Sequence, residues 1–256
     1  MMTFATWNIN SIRTRLPLLL LWLKKTNPDI VLLQEIKAVD NQFPTQEFET
    51  LGYNIAFSGQ KTYNGVAILS KFPIEDIVRG IPGFKDDQAR YIEAVIKEVR
   101  VASVYVPNGM AVGSDKYHYK LDFLKHLYAH TQTLLTYDEA FILGGDFNIA
   151  PEEGDTYDPQ EWHEKILCST KEREGWRSLL YLGLTDALRA LHPEDKELYT
   201  WWDYRGAAWQ NNFGLRIDHF LLSPQAADRL KEAFVDRHAR GVEKASDHAP
   251  VLCRLN

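Results

Sequence analysis

The sequence predicts an α+β fold formed by one domain that spans residues 1–256, and three observations favour this fold class. Short strand-like runs follow one another between residues 53 and 106 with short connections, which is typical of antiparallel pairing. Near-continuous apolar runs at residues 29–35 and 141–147 indicate buried strands. No internal repeat, low-complexity tract or linker divides the chain, and its length is ample for an independent core.

Composition and charge set broad limits on the class of protein. With 45% hydrophobic and 25% charged residues, the chain fits a folded globular protein rather than a disordered or fibrous one. A net charge of -6 argues against nonspecific coating of nucleic acid but leaves room for a local basic groove. Leu16–Leu23 is much shorter than the ~20 residues of a membrane span, and the N-terminus lacks an export signal. We therefore expect a cytoplasmic protein without a membrane anchor.

The first half of the chain alternates apolar runs with turn residues. A strand at Thr3–Trp7 precedes a helix that carries the leucines, and the next strand runs into Glu35. A short helix is predicted at Phe43–Leu51. Five short strands then follow, at Tyr53–Phe57, Gly65–Ser70, Ile74–Val78, Tyr91–Lys97 and Val99–Val106. The last of them leads into Pro107-Asn108-Gly109, which forces a turn.

The second half opens with an amphipathic helix that Ser114 and Asp115 cap and that runs to about Tyr137. Its predicted core stripe is Tyr117, Leu121, Leu124, Tyr128, Thr131 and Leu135, with His126 and His130 on the solvated face. Residues 152–168 lack periodicity and are predicted to form a long surface loop. The remaining predicted elements are helices at Lys171–Leu182 and Thr185–Leu191, a strand at Leu215–Ser223, and a final strand after Ser246-Asp247-His248.

Polar side chains collect where the predicted strands end. The run at residues 141–147 delivers Asp146, and Asn148 points to the same side of an extended chain, whereas Phe147 points into the core. Gly144 and Gly145 leave room for a close approach to the backbone. The other strand ends supply Asn8, Glu35, Tyr105, Asp218, Asp247 and His248. Taken singly, such residues are more often structural, as a solvated glutamate, a hydrogen-bonded histidine or a core tyrosine.

As a set, the strand-end residues predict a metal site. A hard divalent cation such as Mg²⁺ prefers carboxylates, accepts an amide oxygen, and keeps positions open for water and phosphate oxygens. Glu35, Asp247 and Asn8 meet this requirement. Asp146 could serve as a base or orienter for the attacking water.

The remaining strand-end residues suit an anionic phosphodiester. Tyr105, Asn148 and His248 can donate hydrogen bonds to its oxygens, and Asp218 could hold His248 in the required tautomer. No exposed serine or cysteine nucleophile motif competes with this set. The sequence therefore favours metal-assisted hydrolysis over catalysis by a serine or cysteine nucleophile.

Eight motifs, in order along almost the whole chain, resemble the exonuclease III family of DNA repair nucleases. A single motif would be weak evidence, but eight in sequence are highly specific. They are Trp7-Asn8-Ile9-Asn10, Leu33-Gln34-Glu35, Gly65-Val66-Ala67, Tyr105-Val106-Pro107-Asn108-Gly109, Gly145-Asp146-Phe147-Asn148-Ile149, Trp202-Asp203-Tyr204-Arg205, Gly214-Leu215-Arg216-Ile217-Asp218 and Ser246-Asp247-His248-Ala249-Pro250.

The resemblance implies a four-layer sandwich, in which two packed, mostly antiparallel β-sheets are flanked by helices. It also implies Mg²⁺- or Mn²⁺-dependent cleavage of DNA 5′ to an abasic site, removal of 3′-blocking groups, and 3′-to-5′ exonuclease action on duplex DNA. The partner would be damaged double-stranded DNA, and we expect a monomer. By motif position, the implied metal ligands are Glu35, Asn8 and Asp247, and the implied catalytic residues are Tyr105, Asp146, Asn148, Asp218 and His248.

The family takes the damaged sugar out of the helix into an apolar pocket. The matching positions are Trp201, Leu215 and Ile217, for which ordinary core packing is the alternative. Leu167 lies in a loop that can border this pocket, and its bulk is expected to narrow access. Ser11 stands where the family often has glycine. The expected contacts to DNA phosphates are Arg13, Lys37, Arg90, Arg205 and Arg216.

Two alternatives differ in function class. A superfamily relative that acts on a phospholipid, a phosphoinositide or RNA would share the metal site, but the motifs at residues 202–205 and 215–218 favour the DNA repair branch. A noncatalytic nucleic-acid-binding module would have a broken ligand set, whereas every required position is intact. The sequence leaves open the balance between abasic incision, 3′-end cleaning and exonuclease activity.

Overall fold

Two six-stranded sheets form the centre of the protein in a computed structural model that describes all 256 residues. The strands are β1 (Met2–Asn8), β2 (Ile30–Gln34), β3 (Asn54–Ser58), β4 (Val66–Ser70), β5 (Glu75–Arg79), β6 (Tyr91–Ile96), β7 (Val99–Tyr105), β8 (Ala140–Asp146), β9 (Thr185–Asp186), β10 (Asp218–Leu222), β11 (Leu230–Val235) and β12 (Val251–Leu255). The α-helices are α1 (Ile12–Thr26), α2 (Thr45–Thr50), α3 (Asp115–Leu135), α4 (Pro159–Trp162), α5 (Thr170–Tyr181), α6 (Ala187–Leu191) and α7 (Pro224–Ala227).

The two sheets repeat one strand pattern, although the sequence holds no repeat. The first sheet has the order β11-β12-β1-β2-β4-β3, and the second has the order β5-β6-β7-β8-β10-β9. Each contains one parallel pair, β1–β2 or β7–β8, which a long helix connects. The other strand pairs in both sheets are antiparallel, so the predicted pairing is confirmed.

Three apolar clusters bind the layers together. The largest lies between the sheets, where Phe4 and Leu32 of the first sheet belong to the same buried cluster as Ile142 and Phe220 of the second. Helices α1 and α2 cover the outer face of the first sheet, and α3 and α5 cover the outer face of the second. Each large side chain buried in this way contributes roughly 1.5–3 kcal/mol. The predicted four-layer sandwich is therefore confirmed.

Helix α3 begins where the sequence predicts, but its buried face is shifted. The Ser114 hydroxyl accepts a hydrogen bond from the Tyr117 N–H and caps the helix. The buried residues are Tyr117, Lys120, Phe123, Leu124, Leu127, Thr131 and Leu134. Half of the predicted stripe lies only at the edge of this face. The prediction was wrong there because a lysine sits inside the buried face, which hides the apolar periodicity on either side of it.

Several smaller predictions were also wrong. His126 stacks on Phe84 with ring centres 4.3 Å apart, and His130 Nε2 lies 2.7 Å from a buried Glu93 oxygen, so neither histidine is simply solvated. Strand β11 was not predicted, because only one of its six residues is buried and no alternation marks it. The segment at 185–191 begins as the two-residue strand β9, and the surface loop at 152–168 contains α4.

None of the helices combines the length and the apolar character that a membrane crossing requires. Both cysteines are free and buried. Burial raises the pKa of both thiols, so they stay protonated.

Candidate active site

One edge, where the two sheets meet, collects the strand-end side chains. In the second sheet, Asp146 at the end of β8 pairs with Tyr105 at the end of β7 and with Asp218 at the start of β10. Asp218 opens its strand instead of closing it, since β10 runs antiparallel to β8. In the first sheet, Asn8 ends β1, and its Nδ2 donates to Asp146 Oδ2 across 2.9 Å. This hydrogen bond joins the two sheet edges at the centre of the site.

Two carboxylates and one imidazole lie close enough to share an ion. The ligand atoms of Glu35, Asp146 and His248 all lie within 4.8 Å of one another. Asn8 Nδ2 donates to Glu35 Oε1 at 2.8 Å as well as to Asp146. The Asn8 oxygen accepts from the Asn10 N–H at 3.0 Å and keeps a second lone pair, so its role as a metal ligand stays a prediction. The donor set of two carboxylates fits a hard divalent cation.

His248 is held in one orientation from behind. Its Nδ1 donates to Asp218 Oδ2 at 2.8 Å, and the same oxygen accepts from Thr200 Oγ1 at 2.7 Å. Nε2 lies 3.8 Å from Asp146 Oδ2. Burial alone would lower the pKa of His248, but Asp218 and Asp146 outweigh it and raise that pKa to about 10. His248 is therefore a cation at neutral pH, with Nε2–H available on the side of Asp146.

Asp146 has the electrostatic setting of a base. It is buried, and its Oδ1 accepts from the Asn148 N–H at 2.8 Å. Burial raises the pKa of Asp146 above its usual value, with Asp218 adding to the rise and His248 opposing it. A raised pKa makes this carboxylate a stronger base than an ordinary one.

Two hydrogen-bond donors flank Asp146. Asn148 Nδ2 donates to the Val106 carbonyl at 3.0 Å, and its Oδ1 accepts from Asn108 Nδ2 at 3.1 Å, which leaves one amide hydrogen free. The half-buried Tyr105 has a pKa well above its usual value, because of burial and the neighbouring Glu35 and Asp146. Its hydroxyl therefore stays protonated and can donate.

The two glycines before Asp146 serve the packing of the protein itself. A Cβ on Gly144 would lie 2.5 Å from a ring carbon of Phe220, and one on Gly145 would lie 1.9 Å from the Val104 carbonyl oxygen. Neighbouring strands of the protein therefore fill the space beside both glycines. The prediction that an outside group could approach the backbone here was wrong. Phe147 is fully buried against Trp176, as predicted.

Asp247 lies beside the carboxylate cluster but outside it. Its Oδ1 accepts from Asn10 Nδ2 at 2.9 Å and its Oδ2 from Trp201 Nε1 at 3.0 Å. Asn10 Oδ1 in turn accepts from Lys37 Nζ, which also lies 2.7 Å from Glu35 Oε2. Asp247 is thus hydrogen-bonded outside the cluster of Glu35, Asp146 and His248, and its role as a metal ligand stays a prediction.

The four predicted pocket residues form one apolar cluster. Leu167, Leu215 and Ile217 are buried together with Ala150 and Cys168, and Trp201 packs against them. Leu167 is 4% exposed and has a φ of 75°, in the left-handed region that favours glycine. The side chain of Leu167 therefore occupies space within the cluster where the pocket was predicted.

The five predicted phosphate contacts divide into four kinds. Arg13 and Arg205 are exposed, and Lys37 pairs with Glu35. The Arg90 guanidinium lies 4.7 Å from the Tyr105 ring centre and lines a cavity of about 610 Å³ beside that tyrosine. The prediction for Arg216 was wrong. It is 1% exposed and bound to Asp155 and Asp186, because a buried guanidinium takes carboxylate partners in place of phosphate.

The sequence reasoning missed four residues that brace the site. Thr200 Oγ1 donates to Asp218, and Asn10 and Asn108 donate to Asp247 and Asn148 respectively. Both asparagines stand inside motifs that had already been recognised, so their position offered a signal. Lys120 donates to the carbonyl oxygens of Asn148 and Asn108 from a buried helix face, and no local pattern points to it.

Comparison with known proteins agrees with this geometry. A model of the Endonuclease/Exonuclease/phosphatase family matches residues 5–248. The chain belongs to this family. It is 34% identical to exodeoxyribonuclease III of Haemophilus influenzae over 262 residues, which cover 98% of both proteins. The resemblance to exonuclease III and the prediction of a nuclease are confirmed.

Two solved structures share the whole fold. One is a 3′ phosphatase, NExo from Neisseria, bound to a product DNA hairpin; it has a TM-score of 0.98 and 46% identity over the full length of both chains. The other is an AP endonuclease from Archaeoglobus fulgidus, with a TM-score of 0.96 and 37% identity, again over both full chains. The same architecture is therefore found in proteins described by two different activities.

Proposed function

We propose that this protein is a divalent-metal-dependent DNA repair phosphodiesterase whose main task is to remove 3′-blocking groups, with abasic incision hindered. The observation that carries the hydrolytic function is the cluster of Glu35, Asp146 and His248 at the meeting edge of the sheets. This cluster combines two carboxylates with a cationic imidazole beside hydrogen-bond donors. Hydrolysis of an anionic phosphoester requires groups of these kinds.

Glu35 would be the carboxylate that holds the divalent cation, for which Mg²⁺ is the first choice and Mn²⁺ the second, and Asp146 stays free to act as the base. When bound, it would supply positive charge that polarises a phosphate oxygen. Asn8 connects the two carboxylates through its amide nitrogen, and Lys37 partly neutralises Glu35. Asp247 keeps Asn10 and Trp201 in place around this centre.

The chain's own residues account for the proton transfer. Asp146 takes a proton from the attacking water, whose oxygen forms the new bond to phosphorus while the bond from phosphorus to the leaving oxygen breaks. The leaving oxygen then takes a proton from solvent water. The Nε2–H of His248, the free amide hydrogen of Asn148 and the Tyr105 hydroxyl donate to phosphate oxygens as charge builds on them. Asp218 acts through His248, because its hydrogen bond to Nδ1 fixes the ring and favours the cationic form.

The balance of activities follows from the apolar cluster. An abasic sugar has to enter between Trp201, Leu215 and Ile217, where Leu167 packs. A 3′-terminal phosphate group has to reach only the Asp146 edge. The chain is 46% identical to the Neisseria 3′ phosphatase and 37% identical to the Archaeoglobus AP endonuclease, which supports the same preference. Exonuclease action on duplex DNA would be a secondary activity of this site.

The remaining parts of the proposal concern the whole molecule. Arg13, Arg90 and Arg205 would contact the phosphates of damaged double-stranded DNA, since they lie on the surface or line the cavity beside Tyr105. The protein would act in the cytoplasm as a monomer, with residues 1–256 as one domain.

To test this function, the purified protein is incubated with four substrates, each in the presence of Mg²⁺ and of excess chelator. The substrates are a duplex with a 3′-phosphate, a duplex with an abasic site, an intact duplex and an RNA strand. We expect metal-dependent release of 3′-phosphate to be fastest. Lack of metal-dependent cleavage of every DNA substrate would reject the function. If abasic incision is faster than 3′-phosphate release, only the proposed preference for 3′-blocking groups is rejected. Faster turnover of RNA would favour the alternative branch of the superfamily.

A further inference from the structure

A buried lysine outside the reacting centre holds two turns of the active site. Lys120 lies on α3 and is 0% exposed. Its Nζ donates to the Asn148 carbonyl at 2.6 Å and to the Asn108 carbonyl at 3.2 Å, and it forms an ion pair with Glu172. An ammonium group has three hydrogens, so all of its donors are used. Two of the three go to the backbone of residues that line the phosphate side of the site.

Glu172 extends the same contact to the pocket loop. It is fully buried at the start of α5, where one oxygen accepts from the Leu167 N–H at 3.0 Å as well as from Lys120. The other oxygen accepts from the Ser169 N–H at 3.1 Å and the Ser169 hydroxyl at 2.6 Å. The carboxylate therefore fixes the backbone of Leu167, whose side chain fills the predicted abasic pocket.

Both turns that the ion pair holds have a left-handed backbone. Asn148 has a φ of 50°, a conformation that asparagine tolerates, and Leu167 has a φ of 75°. For leucine this conformation costs of order 1–2 kcal/mol, and it persists only where surrounding contacts determine it. The Lys120–Glu172 pair supplies such contacts at both positions, through the Asn148 carbonyl and the Leu167 amide.

A gain in folding stability does not by itself explain why the Lys120–Glu172 ion pair is buried here. A buried ion pair is often no more stable than apolar side chains of the same volume, because both charges lose their hydration. The neighbouring residues of α3 on this face, Phe123 and Leu124, show that apolar side chains fit the same interface. What apolar side chains would not do is bind two carbonyl groups and an amide at fixed distances.

We propose that Lys120 and Glu172 are positioning residues that together set the place of Asn148 against the phosphate and of Leu167 in the pocket. The inference rests on the proposed function and deepens it, because one ion pair then controls both the rate on 3′-phosphate ends and the exclusion of abasic sugars. Neither residue touches the substrate. Each acts through the backbone of a residue that does.

The test compares Lys120→Met and Glu172→Gln with wild type on 3′-phosphate and abasic duplexes. Glu172→Gln keeps the length of the side chain and one oxygen acceptor, but its amide NH₂ faces donors that the carboxylate accepted from. It disturbs the same contacts and gives a second variant if Lys120→Met does not fold. We expect kcat for 3′-phosphate release to fall about 10- to 100-fold in a folded variant, since small displacements of reacting groups cost that much. KM should stay within about threefold, and the ratio of abasic incision to 3′-phosphate release should rise.

A matched control separates positioning from plain loss of stability. Ile96→Ala removes a fully buried side chain at the far end of β6, in the core between the sheets. It should lower Tm and leave both kcat per folded molecule and the activity ratio at the wild-type values. If the folded Lys120 and Glu172 variants also keep kcat and the ratio of wild type, the positioning role is overturned. Failure of wild type on every substrate would instead remove the proposed function.

Discussion

Replacement of Leu167 by glycine should convert the substrate preference of the protein. Leu167 fills the apolar cluster with Leu215 and Ile217, so under the proposed function an abasic sugar would enter only after this side chain moves out. Exposing a buried leucine costs roughly 1.5–3 kcal/mol. Because about 1.4 kcal/mol corresponds to a factor of ten, its removal should raise the rate of abasic incision about 10- to 100-fold.

The same substitution has a predictable cost in stability. Loss of a buried leucine side chain lowers the free energy of unfolding by about 3–5 kcal/mol. Glycine regains about 1–2 kcal/mol, because residue 167 has a φ of 75° that glycine adopts without strain. The net loss should therefore be about 1–4 kcal/mol, and thermal unfolding should show a lower Tm for a protein that still folds.

The assay measures kcat/KM for abasic incision and for 3′-phosphate release on matched duplexes. Leu167→Met is the control, because it keeps the bulk of the side chain and should retain the wild-type ratio of the two activities. Release of 3′-phosphate should change little in either variant, since Asp146 and His248 are untouched. If folded Leu167→Gly protein keeps the wild-type ratio within about twofold, a margin well below the factor of ten that 1.4 kcal/mol gives, residue 167 does not gate the pocket.

Three further outcomes are expected. Asp146→Asn should lower kcat by at least about 100-fold while DNA affinity in a gel-shift titration stays near wild type, because the lost group acts on water rather than on the bound substrate; an equal loss of affinity would contradict this role. Glu35→Gln should raise the Mg²⁺ concentration needed for half-maximal cleavage, and an unchanged metal titration would exclude Glu35 as a ligand. Burial and the adjacent Arg216 lower the pKa of His219 to about 4, so neutral His219 stabilises the fold fully above pH of about 6.5, and that contribution is lost as the pH falls toward 4. Chemical unfolding of His219→Gln should show a weaker loss of stability between these pH values than wild type, and an identical pH slope would contradict the assignment.

The strand ends illustrate how far local sequence patterns reach. Asp146 and Glu35 follow apolar runs long enough to read as buried strands, and the strands β8 and β2 end within one residue of them. The main exception is a largely exposed segment such as β11, which is a strand because it pairs with β12 and not because its own sequence alternates. Local patterns predict an element well when one face is apolar throughout, and poorly when a partner strand decides what is buried.

Local sequence patterns do not predict which charged residues are buried. Arg216 in a recognised motif and Lys120 in an amphipathic helix both read as solvent-facing, yet each is buried against carboxylates that lie 30 or more positions away in the chain. The energy of a buried charge depends on whether a partner reaches it through space. No periodicity along the chain carries that information.

The sequence by itself determined the α+β class, the family, and the residue types at the reacting centre, because strand-forming runs and the polar groups that end them are local features. Only the tertiary structure decided which of those groups share a site. It joined Asn8 to Asp146 across the two sheets, set Asp247 apart from the carboxylate cluster, and packed Leu167 against Leu215 and Ile217. The physical reason is that hydrogen bonding, ion pairing and packing act between side chains that are neighbours in space, and the fold alone makes them neighbours.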